Sequence, residues 1–261
     1  GGKDLISLLS GHIGRANEWC SKLAVRIGAM PVITTATDAR GMFAVDIFAT
    51  EHNMRIVNPV MIKDISGRIL NNEPVGITGN DKYKNLLKVT EERWNGQIKY
   101  TDNSNNEYES GVQIITGKDD KIVFKRTLKL VPQELAVGIG CKKGKSAHEI
   151  ERAVKKTFDK AGLLLEAIAV VASVDRKADE AGIIEFARKC KVPYKTYTPE
   201  YLRDVEGDFV SSAFVEEQIG VGNVCERSAG AASSGGEKLV GKTADNGVTV
   251  AIYRVAQKNK E

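Results

Sequence analysis

Long apolar runs are missing from this 261-residue chain. None reaches the roughly 18 to 20 residues that a membrane helix needs, so no membrane partner is expected. Cysteine is scarce: Cys20, Cys141, Cys190 and Cys225 are widely spaced and form no CxxC pair. With no basic, apolar, small-residue signal pattern after Gly1, a reducing cytoplasm is the expected compartment. Histidine is rarer still, and His12, His52 and His148 are scattered, none with a second ligand at metal-site spacing. No resident metal is expected, and any metal would arrive within a ligand. No aromatic RNA-binding motif or zinc-finger spacing occurs, and the lysines are spread over the whole chain, so nucleic acid is not an expected partner.

What is present is ordinary for a globular protein: 42% hydrophobic and 28% charged residues, in a length suited to about two domains. The net charge of +4 favours an anionic partner, and a polycarboxylated or phosphorylated small molecule explains the sign as well as any other.

The organisation is α/β. Residues 5–9 read as a buried strand, the apolar spacing of residues 16–27 as a helix, and residues 31–35 as a second strand, which together make a β-α-β unit with a parallel pair. In the middle, residues 60–70 suggest a helix, 74–78 a strand, 101–109 an exposed loop, and 111–116 with 122–130 a hairpin turned by 117–120. From residue 135 strand, glycine-rich turn and helix recur: a strand over 135–139, a turn over 138–144, a capping box at Ser146 and Glu149, a helix to Gly162, a strand over 167–172, a helix lined by Ile183 and Ala187, an N-cap at Thr198 with Pro199 following, and a closing strand over 248–255. Residues 229–236 (AGAASSGG) are the one stretch of low complexity.

Several segments are able to carry chemistry. Residues 10–18 (SGHIGRANE) stand where a strand passes into a helix, the place at which an α/β sheet binds its ligand. Ser10, Gly11, Gly14 and Asn17 would let backbone N–H groups meet an anion, and His12 is a candidate base; the alternative is a tight turn with a capping histidine. Thr35, Thr37 and Asp38, within TTATD, share the next strand end and read either as ligand contacts or as turn chemistry. Gly140, Cys141, Lys143 and Gly144, within GIGCKKG, precede a helix and read as an anion cradle, with Cys141 either a nucleophile or a small packing residue. Ser173, Lys177 and Glu180, within SVDRKADE, fall near that cradle or on a solvated loop. Glu226 and Lys242, on the last two turns, are candidates with a structural alternative.

These segments resemble one family. The run ISLLSGH, AN and PVITTATD, together with VGIGCKKG, ASVDRKADE, PEYL, GVGNVCE and TVAIYR in the same order, is similar to the cobalt-precorrin-5A hydrolase family of anaerobic cobalamin biosynthesis. Arg15 and the pair Arg227 and Ser228 depart from the glycine and alanines usual there, and the family carries a further α/β segment ahead of its first SLLSGH strand. The resemblance implies three regions: the remainder of an N-terminal α/β domain over 1–50, a mixed α/β middle domain over 51–132 and an α/β C-terminal domain over 133–261. It implies a hydrolase acting on a carbon–carbon bond, in which water opens the lactone of an anionic cobalt-corrinoid and the meso carbon leaves as acetaldehyde. The cobalt travels with the substrate and no cofactor is required. For that chemistry, position and residue type suggest His12 as base, the backbone over 10–14 with Thr35 or Thr37 as oxyanion donors, Glu226 or Glu180 moving a proton, and Lys143, Lys177 and Lys242 holding carboxylates. Homo-oligomer or pathway-enzyme contacts fit the same picture. Competing readings are a non-catalytic corrinoid carrier and a nucleotide-phosphate binder, the latter opposed by the missing Walker lysine and incomplete GxGxxG pattern.

Overall fold

The structure, a computed structural model, describes residues 41–102, 107–207, 209 and 222–256, with 19, 22–24 and 26. Of the expected N-terminal β-α-β unit, both strands lie outside the described residues, while residues 19, 22–24 and 26, within the expected helix, are helical. Contacts divide the chain into two units: one runs to Pro132, and the other takes Gln133 onward together with Gly117–Asp119.

The first unit contains helix α1 (Val45–Glu51), strand β1 (Met54–Ile56), helix α2 (Met61–Leu70), strand β2 (Gly76–Thr78), helix α3 (Lys84–Arg93), and strands β3 (Lys99–Tyr100), β4 (Ser110–Ile114) and β5 (Arg126–Pro132). The sheet order is β1-β5-β4-β2-β3, parallel throughout except for the antiparallel edge strand β1. The β4 residues are all buried, as expected of a parallel strand covered on both faces. Phe43, Ile65, Ile77, Leu87, Val112 and Leu128 form the core.

Two expectations fail here. Residues 111–116 and 122–130 do not form a hairpin: Ser110 pairs with Arg126 and Ile114 with Leu130, in parallel. The segment between the strands is a crossover, and Phe124 lies over Gly76 and Gly111, where a Cβ would strike its ring. Polar composition also misplaces Thr101, which is buried, its carbonyl accepting from Thr78 Oγ1 at 2.7 Å.

The second unit contains β6 (Leu135–Cys141), α4 (Ala147–Lys160), β7 (Ile168–Val174), α5 (Ala181–Cys190), β8 (Tyr194–Tyr197), α6 (Pro199–Arg203), α7 (Val224–Ser233), β9 (Lys238–Asp245) and β10 (Val248–Arg254). The sheet order is β8-β7-β6-β10-β9, with β6, β7 and β8 parallel and β10 antiparallel to both neighbours. The capping box at Ser146 and Glu149 forms as expected and starts α4, whose Ile150, Val154 and Phe158 are buried. Thr198 caps α6 with Pro199 in its first turn.

Helix α7 lies on the opposite face, where Cys225, Ala229 and Ala232 meet Ala136, Ala172, Ala251 and Tyr253. The stretch of small residues is therefore the half of a packed helix that permits close approach. Gly138 is the matching feature on the sheet: a Cβ there would run into the Cys225 carbonyl oxygen. The glycines of GIGCKKG thus divide, with Gly138 and Gly140 inside β6 and only Gly144, at φ +81°, in the turn.

Candidate functional site

Parallel pairing brings the carboxyl ends of β6, β7 and β8 to one edge of the second sheet, the edge at which such sheets place ligands. Cys141, Val174 and Tyr197 end the three strands, and the segments leaving them carry most of the C-terminal candidates.

On the α4 and α5 side the arrangement is a closed network. Lys177 Nζ donates to Glu180 Oε2 at 2.7 Å, and the side chains are only 16% and 9% exposed, so this is a part-buried pair rather than a solvated loop. Glu180 Oε1 accepts from the Gly144 backbone N–H at 2.8 Å. Burial pushes the Glu180 carboxyl up, but the Lys177 and Gly144 hydrogen bonds outweigh it and hold the group below the ordinary carboxylate value. Tyr194 Oη donates to the Lys177 carbonyl at 2.8 Å, and Ser173 Oγ to the Ile139 carbonyl at 2.7 Å. Burial pushes the Tyr194 phenol up to about 12 and also raises the Cys141 thiol, against the nearby Lys177.

The anion cradle expected over 138–144 is therefore filled by the protein itself. Gly144 N–H serves Glu180, while Ser146 N–H and Oγ both serve Glu149 Oε2. The Lys145 hydrogen bond above all, with those of Ser146, holds the Glu149 carboxyl down to about 2, so a carboxylate already occupies this helix start. Lys143 remains exposed beside it.

On the α7 side the carboxylate is incompletely satisfied. Asn223, in a left-handed conformation at φ +59°, caps α7 by accepting from the Glu226 N–H. Glu226 is 1% exposed and does not return its side chain to the cap. Its Oε1 instead accepts from the Lys242 backbone N–H. That donor is released by a bulge: Val250 pairs with Thr243 and Ile252 with Val240, leaving Gly241 and Lys242 opposite Ala251. Glu226 and Lys242 thus sit in a helix and a strand, not on the last turns as expected. Among the described residues Glu226 Oε2 has no hydrogen-bond partner, only the Lys238 ammonium at 3.8 Å. Asn223 Nδ2 and Ser228 Oγ are likewise buried without partners among the described residues. The Tyr253 phenol is pushed up to about 12 by burial and by the Glu226 charge.

Gly140, Cys141, Gly144, Ser173, Lys177 and Glu180 are drawn together, and Glu226 and Lys242 form a second group. Ser10, Gly11, His12, Gly14, Asn17, Thr35, Thr37 and Asp38 lie outside the described residues. Tyr194 and Asn223 were missed; Asn223 carries a readable signal, a capping residue three positions ahead of a glutamate. Among the described residues no cluster of His, Cys, Asp and Glu could hold a metal ion, and no helix is long and apolar enough to cross a membrane.

Comparison with known proteins places these features in a lineage. Three family models match in succession: Cobalamin synthesis G N-terminal over residues 1–38, Cobalamin biosynthesis central region over 43–132, and Cobalamin synthesis G C-terminus over 135–253. A cobalt-precorrin-5A hydrolase of Salmonella typhimurium is 33% identical over 254 residues, which cover 96% of this chain and 71% of that protein. The chain belongs to the cobalt-precorrin-5A hydrolase family. The resemblance read from its motifs is borne out. A second cobalt-precorrin-5A hydrolase, of Priestia megaterium, is 28% identical over 211 residues, covering 78% of this chain and 56% of its own length. The crystal structure of CobE, a protein from the cobalamin (vitamin B12) biosynthetic pathway, is 29% identical with a TM-score of 0.45, covering 49% of this chain and 94% of that one.

Proposed function

We propose that this member of the cobalt-precorrin-5A hydrolase family opens the lactone of cobalt-precorrin-5A and releases acetaldehyde to give cobalt-precorrin-5B, acting in the cytoplasm on a substrate that brings its own cobalt. The likeness to the Salmonella typhimurium hydrolase along 96% of the chain carries the reading.

Water attacks the lactone carbonyl and the acyl C–O bond breaks to a carboxylate and a free hydroxyl; the hydroxyl then loses its proton as the adjoining C–C bond cleaves to acetaldehyde, and the electron pair of that bond passes into the conjugated macrocycle, which takes up a proton. The first step needs a base for water and donors to the oxyanion, roles that suit His12, the backbone over 10–14 and Thr35 or Thr37. The second needs a proton acceptor. Both Glu180 oxygens are committed to Gly144 and Lys177, whereas Glu226 keeps one oxygen without a hydrogen-bond donor. Glu226 is accordingly assigned the proton and Glu180, with Lys177, a positioning role. Lys143 and Lys242 are left to meet carboxylate arms.

Incubating the purified protein with the lactone substrate and assaying acetaldehyde tests the assignment. Release is expected from the parent, a loss of about 100-fold in Glu226→Gln and a similar loss in His12→Ala. A corrinoid colour shift with no acetaldehyde from the parent would replace the hydrolase with a carrier.

A further inference from the structure

The first unit has its own ligand edge, which neither its composition nor its motifs announced. Strands β2 and β4 are parallel neighbours, yet the chain leaves them in opposite directions: β2 leads through α3 to β3 on one side, and β4 leads through residues 115–125 to β5 on the other. Adjacent strands with diverging exits form a switch point, and the crevice outside their carboxyl ends is where open α/β sheets bind ligands. A cleft of about 330 Å³ lies there. Its walls are Gly79 and Asn80 leaving β2, Gln113 and Ile114 ending β4, and the crossover from Asp120 to Val123.

The cleft is braced from within. Gln113, 3% exposed, donates to the Lys121 carbonyl at 2.8 Å and accepts from the Val123 N–H at 3.1 Å, clamping the crossover to β4. Asp120 Oδ2 accepts from the Thr116 N–H at 2.6 Å and lies 3.3 Å from Thr116 Oγ1. Asn80 Nδ2 reaches the same hydroxyl at 3.1 Å and ties the two strand exits together. The rim residues are fixed by these bonds rather than left to be ordered by a ligand, which lowers the entropic cost of binding.

What remains unspent sets the ligand chemistry. Asp120 is occupied by Thr116. Lys121 is exposed, and among the described residues no carboxylate meets its ammonium. Beside it Ile122 is 41% exposed, and Val123 continues the apolar wall. One cation next to a short apolar surface matches a carboxylate on an aliphatic stem, and the volume suits a small acid or one arm of a larger molecule.

We propose that the cleft between the exits of β2 and β4 binds an aliphatic carboxylate, with Lys121 on the charge and Ile122 and Val123 along the stem. Two sources share this chemistry: a free short-chain acid, or an acetate or propionate arm of a corrinoid. The second source rests on the function proposed above, the first does not.

Amide chemical shifts of the full chain, titrated with propionate, with propionamide and with cobyrinic acid, test the site. Propionate is expected to move Gly79, Lys121 and Val123 with millimolar affinity, and propionamide to leave them in place. Lys121→Glu, an exposed change whose own spectrum reports its fold, is expected to weaken the acid at least tenfold. Cobyrinic acid acting at tenfold lower concentration than propionate selects the corrinoid arm; equal or weaker action selects the free acid. Silence of these amides toward both acids up to about 50 mM, equal shifts with propionamide, or an unchanged response in Lys121→Glu overturns the site. Because none of these readings uses acetaldehyde, the site and the hydrolase assignment fail independently.

Discussion

Two glutamates with the same chemistry occupy opposite conditions on the second sheet. Glu180 is tied at both oxygens and its carboxyl is held below the ordinary value near 4.5 by Lys177 and Gly144 against the pull of burial. A depressed folded value means that the stabilisation is complete above the unfolded value and is lost as pH falls through the folded one. Glu180→Gln is therefore expected to lose about 2 kcal/mol at pH near 7 and to converge on the parent once the pH is well below 4.5, read by urea unfolding at both pH values. A constant difference across pH would show that the charge is not what Glu180 contributes. Ser228 makes the opposite case. Its hydroxyl is buried within α7 and has no partner among the described residues, so Ser228→Ala removes an uncompensated desolvation and is expected to raise stability by about 1 kcal/mol. A fall in the unfolding free energy of that variant would mean that Ser228 Oγ has a partner after all.

At the scale of elements, the contact between α7 and β6 is a close approach of backbones through small side chains. Gly138→Ala places a methyl against the Cys225 carbonyl and the Ala229 N–H, neither of which is able to rotate away. The expected cost is about 3 kcal/mol or more, or loss of soluble protein. Gly140→Ala meets only the Thr249 hydroxyl, the end of a rotatable side chain, and is expected to cost under about 1 kcal/mol. Equal effects in thermal unfolding would undo this reading of the packing. Local signals made much of this unit legible: the Ser146 and Glu149 box, the Thr198 and Pro199 start and the apolar period of α4 each depend on near neighbours in the chain. The failures are long-range. Whether 111–130 pairs antiparallel or parallel depends on Phe124 settling over Gly76 and Gly111, and no spacing rule reports that. The role of Gly138 depends on a helix almost ninety residues later. The Glu226 environment depends on a bulge in β9, a strand that periodicity did not reveal. Glycine-rich spacing located the sheet edge at 138–144, but not that Glu180 and Glu149 take up the Gly144 and Ser146 N–H groups there.

For the molecule as a whole, the decisive property is that the second unit completes its sheet without borrowing a strand. All five strands, β6 to β10, and the helices on both faces come from Gln133 onward. Among the described residues the earlier chain lends it Gly117–Asp119, through the Lys118 N–H on the Gly162 carbonyl at 2.9 Å and a Lys118 to Asp159 ion pair. An exposed pair of that kind contributes between nothing and about 1 kcal/mol, small beside the core a domain of this length buries. A fragment of residues 133–261 is thus expected to fold alone and to unfold in one cooperative transition within about 5 °C of the corresponding step in the full chain. Broad, non-cooperative melting would show that the first unit supplies stability beyond those contacts. The same fragment separates binding from chemistry. It retains Lys143, Glu226 and Lys242 but lacks His12, so under the proposed mechanism it shifts the corrinoid spectrum and releases no acetaldehyde. Acetaldehyde from the fragment would remove His12 and the whole 10–38 segment from the reaction and leave the proton transfers to the carboxyl edge of β6.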